Sequence, residues 1–400
     1  MSGVKDLAPV GRIGRYDILG RLATGGMAEI FLARESGPRE ASRTLVVKRI
    51  LPHVAEDPDY VESFVAEATL SLRLSHPSIC GVVEFGEEAG RYFLAMEYVR
   101  GVSLHALIER VGPMPMGMSV RLVADVANAL THAHGARDDA GKPLGIVHRD
   151  VTPDNLMVGF DGTVKLLDFG IAKSSAQLRK TQQGQLKGKL AYMSPEQYRG
   201  ERLDGRSDLF SLGLCLYEAL TGQALYARGT EAETVAAILF DEEPPSVRAT
   251  RPEVPEMLDR IVQTMLAKDR QKRATTAEAV SAALEKWLVL ERQAVREADI
   301  AGFVQAMFPG RADSLPELDR TPLKPAPRRD SIDPIKRQAI GADLDDLTEE
   351  MERRQAAKRR QVGLLVALVL IAGAAARAWA LSKPPAPAPA ANGPTPIAPG

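Results

Sequence analysis

Alternation between apolar and polar positions marks the first part of the chain as β-rich. YDILGRL (16–22), EIFLARE (29–35) and TLVVKRI (44–50) follow the period of a half-buried strand. The polar run from Ser36 to Arg43 separates the second of these from the third. In YVESFVAEATLSLRL (60–74) the period changes and predicts one amphipathic helix. VVEFGEE and YFLAMEYV, joined at Gly90, read as two further strands, and from about Val120 to Leu290 the periodicity is mainly helical. The expectation is an α+β fold in two lobes. A short N-terminal extension (1–15) precedes a small β-rich lobe with one main helix, from Tyr16 to about Ser119, and a larger helical lobe follows to Leu290.

Beyond Leu290 the pattern predicts appendages. Glu291 to Gly310 continues as a helical extension ending at Pro309-Gly310. Residues 311–361 read as a charged juxtamembrane linker: Arg311 to Thr348 is poor in large apolar residues and punctuated by Pro322, Pro325, Pro327 and Pro334, and Glu349 to Gln361 is a charged helical stub. Val362 to Ala376 carries no charge and would span roughly 22 Å as a helix, short of the roughly 30 Å bilayer core. Extension to Leu381 closes that gap, with Arg377 near the end and Trp379 at the interface. Lys358, Arg359 and Arg360 flank the other end, so positive-inside logic places residues 1–361 in the cytoplasm. The expectation is a single-pass inner-membrane protein with a Pro/Ala-rich external tail, 382–400.

Four hundred residues with 45% apolar content suffice for one large two-lobed domain plus these appendages. A net charge of −1 gives no basis for nucleic-acid binding. Cys80 and Cys215 are the only cysteines, which argues against a disulfide scaffold or a zinc site and fits a reducing compartment. The first residues contain no apolar signal-peptide core, in keeping with a cytoplasmic catalytic part.

The chemistry concentrates in HRDVTPDN (148–155) and DFG (168–170). The first run offers an acid–base candidate, Asp150, and an amide ligand, Asn155; the second offers a carboxylate, Asp168. The apolar residues between suit a β-hairpin turning at Asp161-Gly162, which would set Asn155 and Asp168 across one cleft. Two oxygen ligands suit Mg²⁺ when phosphates and water complete its shell. Here the sequence resembles the protein kinases, whose signatures include HRD-x4-N and DFG. From Tyr16 to Leu290 it is similar to the bacterial eukaryotic-like serine/threonine kinases, with GGM near the start, YMSPEQ at 192–197 and a C-terminal span as further points of likeness.

The resemblance implies a two-lobed kinase fold, ATP and Mg²⁺ as cofactors and protein substrates; a homodimer is one candidate assembly, which the sequence does not decide. Lys48 would hold the α- and β-phosphates with Glu67 as its counter-charge. Ala23, Thr24, Gly25, Gly26 and Met27 would cover the nucleotide, although only Gly25 matches the three-glycine pattern and Ala23 and Ala28 replace the others. Glycine suits such a loop because backbone amides approach phosphates and φ can be positive. Met96 would line the back of the pocket, and Glu97 and Val99 would meet adenine through their backbones. Asp150 would be the catalytic base, Asn155 and Asp168 the metal ligands, and His148 a packing residue. Arg149 would pair with a phosphate on Ser174, Ser175 or Thr181. Glu196 would pair with Arg273, and Asp208 would hold the HRD backbone.

Two departures stand out. Thr152 occupies the place of the lysine usual in the serine/threonine branch, and Lys189 the place of its activation-segment threonine. The exchange suggests that Lys189 reaches toward Thr152 and the transferring phosphate, making both catalytic-site residues. The alternative is a nucleotide-binding scaffold with little transfer activity.

Overall fold

The computed structural model describes residues 7–36, 42–169, 186–240 and 244–323. The chain divides into two units, Met1–Asp330 and Ser331–Gly400, and every described residue belongs to the first. Ser174, Ser175, Thr181 and the predicted span 362–381 lie outside the described residues. Among the described residues, no helix is long and apolar enough to cross a membrane.

The first lobe is a six-stranded antiparallel sheet with one helix. Its elements are β1 (Gly11–Ile13), β2 (Tyr16–Thr24), β3 (Ala28–Ser36), β4 (Ser42–Ile50), α1 (Pro58–Leu72), β5 (Val82–Glu88) and β6 (Arg91–Glu97), with strand order β1-β2-β3-β4-β6-β5. Period-two alternation decides which face each residue serves. Leu45, Val47, Phe93 and Ala95 join Tyr16, Ile18 and Phe31 on one face. Val46, Ile50, Leu94 and Met96 turn to the other, where Tyr60, Phe64 and Ala68 of α1 cover them.

The larger lobe holds β7 (Gly101–Ser103), α2 (Leu104–Val111), α3 (Met116–His134), β8 (Leu156–Gly159), β9 (Val164–Leu166), α4 (Leu186–Leu190), α5 (Pro195–Tyr198), α6 (Gly205–Thr221), α7 (Glu231–Phe240), α8 (Val247–Thr250), α9 (Glu256–Leu266), α10 (Ala277–Leu290) and α11 (Glu297–Met307). Every residue of α6 from Ser207 to Thr221 is buried, so this helix forms the lobe's axis. Gly213 lets it approach α9, since a Cβ there would lie 2.9 Å from Met265 Cβ. In α9 the buried residues Leu258, Val262, Met265 and Leu266 form one stripe.

Three expectations from the pattern need correction. The β-rich lobe does not extend to Ser119: α2 begins at Leu104, capped by Ser103, whose side chain accepts from Ala106 N–H, and its Leu104, Leu107 and Ile108 are buried. Two short strands, β1 and β7, escaped notice because three residues carry too little alternation to read. The third correction concerns the linker, whose first part, residues 311–323, packs against the sheet. Leu323 N–H donates to Val10 O at 3.0 Å and Asp319 forms a bridge with Arg21.

Candidate active site

Asp208, near the start of α6, organises the catalytic loop. It is 1% exposed, and its carboxylate accepts from His148 N–H and Arg149 N–H, each at 2.8 Å. His134 Nε2 lies 2.8 Å from the same group. Burial opposes ionisation of Asp208, but the hydrogen bond and charge from His134, with His148 and the Arg149 amide, hold its pKa below the usual carboxylate range. The two amide bonds also hold Arg149 at φ 68°, a conformation that a non-glycine residue adopts only when its surroundings compensate.

Asp208→Asn should therefore loosen this loop and destabilise the protein. A charge-assisted hydrogen bond contributes about 1.5–3 kcal/mol, so urea unfolding at pH 7 should show a loss of that order. Because the folded pKa is depressed, the wild-type advantage is present above the unfolded value of about 3.9 and is lost as pH falls toward the folded one. Equal stability of the two proteins at pH 7 would refute this role.

His148 is fully buried, and its ring is spent on structure. Nδ1 accepts from Asp150 N–H at 3.2 Å, so Nε2 carries the proton and donates to Leu167 O at 2.9 Å. Its ring packs on Phe169, with centroids 4.5 Å apart. These contacts tie the catalytic loop to the strand leading into Asp168.

The β8–β9 hairpin pairs Leu156 with Leu166, and Leu167 N–H donates to Asn155 O at 2.8 Å. Asn155 and Asp168 therefore flank its open end. At its tip Gly162 has φ 90°, and a Cβ there would lie 1.9 Å from Glu297 O. Asn155 Nδ2 donates to Asp150 O and to Asp150 Oδ2, both at 2.7 Å. That fixes the amide's orientation, and Oδ1 accepts no hydrogen bond among the described residues. A rigid amide oxygen beside the Asp168 carboxylate fits Mg²⁺, with phosphate and water completing the shell. Among the described residues, no group of three or more His, Cys, Asp or Glu could hold a metal.

Lys48 projects from β4, its backbone between Ile30 of β3 and Leu94 of β6. Its Nζ lies 3.0 Å from Asp168 Oδ1 and 3.5 Å from Glu67 Oε1 of α1. Burial alone would disfavour the ammonium, but Asp168 and then Glu67 outweigh it and hold the Lys48 pKa above the ordinary lysine value. The lysine is thus a fixed cation linking the sheet, α1 and the strand after the catalytic loop.

The hairpin above Lys48 turns at Gly25, Gly26 and Met27, between Thr24 of β2 and Ala28 of β3. Gly25 N–H donates to Ala28 O at 2.9 Å and Leu51 N–H to Met27 O at 2.9 Å. Neither glycine takes a positive φ, so their use here is the absence of a side chain. Ala23 lies opposite Ile30 within the paired strands. Met96 is buried behind the cleft. Glu97 N–H is committed to Gly81 O at 2.9 Å, whereas the Val99 backbone takes no partner among the described residues. The Glu97 side chain is structural as well, receiving Gly81 N–H and Lys165 Nζ at 2.7 Å each.

After the undescribed stretch 170–185, α4 brings Lys189 Nζ to 3.2 Å from Asp150 Oδ2. The hydroxyl of Thr152, 2% exposed, has no hydrogen-bond partner among the described residues, so Lys189 engages the aspartate and not the threonine. Arg273 meets Glu196 through two bonds, at 2.6 and 3.2 Å. Sequence reading missed Gln197, whose Nε2 donates to Arg149 O at 2.9 Å while its N–H donates to Ser194 Oγ and its Oε1 accepts from Ser194 N–H, closing a capping box. It also missed His134. The Ser-x-x-Gln spacing could have signalled the first; no local pattern signals the second.

The protein kinase domain family model matches residues 16–286. The chain is 42% identical over 279 residues to the tyrosine-protein kinase MasK of Myxococcus xanthus, covering 69% of this chain and 43% of that protein. It is 38% identical over 277 residues to the serine/threonine-protein kinase PknB of Mycobacterium leprae, covering 68% and 42%. It thus spans less than half the length of either relative. The crystal structure of the Mycobacterium tuberculosis PknI kinase domain is similar with a TM-score of 0.55 and 26% identity, over 70% of this chain and 99% of that one. With more than half its length matched and the same two-lobed architecture, the chain belongs to the protein kinase family.

Proposed function

We propose that the chain transfers the γ-phosphate of ATP to serine and threonine hydroxyls of proteins. One observation carries this reading: the Lys48–Asp168–Glu67 cluster and the hydrogen-bonded Asp150–Asn155 pair are joined through the residue next to Asp168, Leu167, whose N–H donates to Asn155 O at 2.8 Å. Asn155 and Asp168 would hold Mg²⁺, which supplies charge neutralisation on the phosphates when bound. Lys48 binds and orients the phosphate chain. Asp150 accepts the substrate hydroxyl's proton as its oxygen forms the new bond to phosphorus and ADP leaves. The intact Lys48 cluster favours this over the scaffold reading.

Lys189 supplies the positive charge that Thr152 cannot. Its ammonium, paired with Asp150, lies beside the group that receives the proton, where electrostatic stabilisation weighs most. Lys189→Ala should lower kcat by about 10²-fold, the effect of losing one transition-state donor, with little change in the ATP KM. An unchanged kcat would show the lysine to be a surface charge.

The test of the main reading is transfer of labelled phosphate from ATP by the full chain, with Asp168→Ala as control and phosphoamino-acid analysis of the product. A tyrosine-directed reading has Thr152 in its favour, together with the name of the Myxococcus relative. Phosphotyrosine alone would establish it, and no transfer at all would leave the scaffold. The reading also includes a membrane anchor at 362–381, tested by fractionating the full chain against one ending at Gln361. Activation by phosphate on Ser174, Ser175 or Thr181, meeting Arg149, is tested by mass spectrometry of active enzyme.

A further inference from the structure

We infer that residues 311–323 form a strap across the two lobes, in which Asp319 positions the nucleotide hairpin. The inference rests on the reading of Gly25-Gly26-Met27 as the nucleotide cover. One end of the strap is anchored on the larger lobe by α11. Gln305 Nε2 donates to Phe160 O at 2.7 Å, Arg110 Nε donates to Met307 O at 3.3 Å, and Ile300 and Val304 are buried. The chain then reaches the opposite lobe. Arg21 N–H donates to Asp319 O at 2.8 Å and Asp319 N–H to Arg21 O at 3.0 Å. Arg320 Nη2 donates to Ala8 O at 2.6 Å.

The sheet is built to receive this segment. Gly11 and Gly20 sit in strands without positive φ, so neither is needed for a turn. A Cβ at Gly20 would lie 2.9 Å from Leu318 Cβ, and one at Gly11 2.8 Å from Leu323 Cβ. Glycine inside a strand is costly unless another segment approaches closely, and here two strap leucines do so. Leu323 also packs on the apolar cluster around Tyr16 and Phe93.

Charge links the strap to the cleft. Asp319 pairs with Arg21, Arg21 Nη1 lies 2.9 Å from Glu29 Oε1, and Glu29 Oε2 lies 2.9 Å from Arg49 Nη2. Glu29 is opposite Thr24, the last rung before the turn, and Arg49 follows Lys48 in β4. The series therefore runs from the strap through the base of the hairpin to the strand that carries the phosphate-binding lysine. Thr321 first, through its hydroxyl and amide, and then Arg21 hold the Asp319 pKa down to about 2, so the carboxylate stays charged at neutral pH. Asp319 touches no reacting atom. It acts through Arg21 on the hairpin's position, so it should govern nucleotide affinity and leave the chemical step alone.

The test uses the full chain and measures the ATP KM, kcat and hydrogen exchange over residues 16–31. Asp319→Ala should raise the ATP KM up to about fivefold, the range of an exposed ion pair, with kcat within about twofold. Asp319→Glu, which keeps the charge that meets Arg21, should restore most of the affinity. Leu318→Ser with Leu323→Ser should raise KM by about tenfold or more, from the lost burial of two leucines, and speed exchange at the Arg21 amide. Faster exchange with an unchanged KM would overturn the positioning role, and unchanged exchange would overturn the strap itself. Absence of ATP binding by the wild type would instead sink the nucleotide reading, since exchange reports the strap without nucleotide.

Discussion

Lys48→Ala and Asp168→Ala should each reduce phosphate transfer by at least about 10³-fold while leaving the protein folded. Lys48 touches both Asp168, at 3.0 Å, and Glu67, at 3.5 Å. Its removal takes the fixed positive charge from between two carboxylates, in a partly water-excluded cleft where a single preorganised charge or donor contributes about 10²–10³ in rate. The larger figure is expected because the same lysine orients α1 through Glu67 and the Asp168 strand through its carboxylate. Asp168→Ala removes a carboxylate that serves Lys48 and the proposed metal together, so its loss should equal or exceed that of Asp150→Ala. Circular dichroism and thermal melting separate chemistry from unfolding. A folded mutant of either residue with wild-type-like transfer would remove the catalytic assignment altogether.

Disruption of the Glu196–Arg273 pair should produce the largest loss of stability. The Arg273 side chain is 0% exposed and that of Glu196 2%. Besides Glu196, the guanidinium donates to Arg206 O at 2.7 Å and Ala267 O at 3.0 Å, and it stacks over Phe210 at 4.9 Å. Removing one partner leaves a charge buried without compensation, a change that costs about 3–5 kcal/mol. Arg273→Met, which keeps much of the volume, should therefore lose that amount in urea unfolding. Glu196→Gln retains a hydrogen-bonding group and should lose less. The pair joins the end of the activation segment to the start of α6, so both variants should also weaken the Gln197 hold on Arg149. A loss below about 1 kcal/mol for Arg273→Met would mean that the site relaxes and the pair is not a structural lock.

The sequence alone determined the strands with enough alternation to read, the main helix of the small lobe and the helical character of the large one. Local periodicity reports which face of an element is buried, and that face is the same whatever covers it. The order and spacing of Lys48, Glu67, HRD and DFG also indicated which residues would share a cleft. What the tertiary structure decided were pairings between positions whose local sequence carries no mark of the partner. His134 and Asp208 are separated by 74 positions, and only the packing of α3 beside α6 brings them together. Lys189 invited pairing with Thr152 because the two residue types had exchanged places, yet the fold sets its ammonium on Asp150. The strap is the clearest case. By composition, residues 311–323 are charged and poor in apolar area, which predicts a linker, and so they would be if they had to make a core of their own. Two leucines and one aspartate are enough to order them because Gly11, Gly20 and Arg21, about 300 positions earlier, already form a seat. Burial then depends on a surface that the segment does not itself supply, and no window along the sequence contains both halves of the contact.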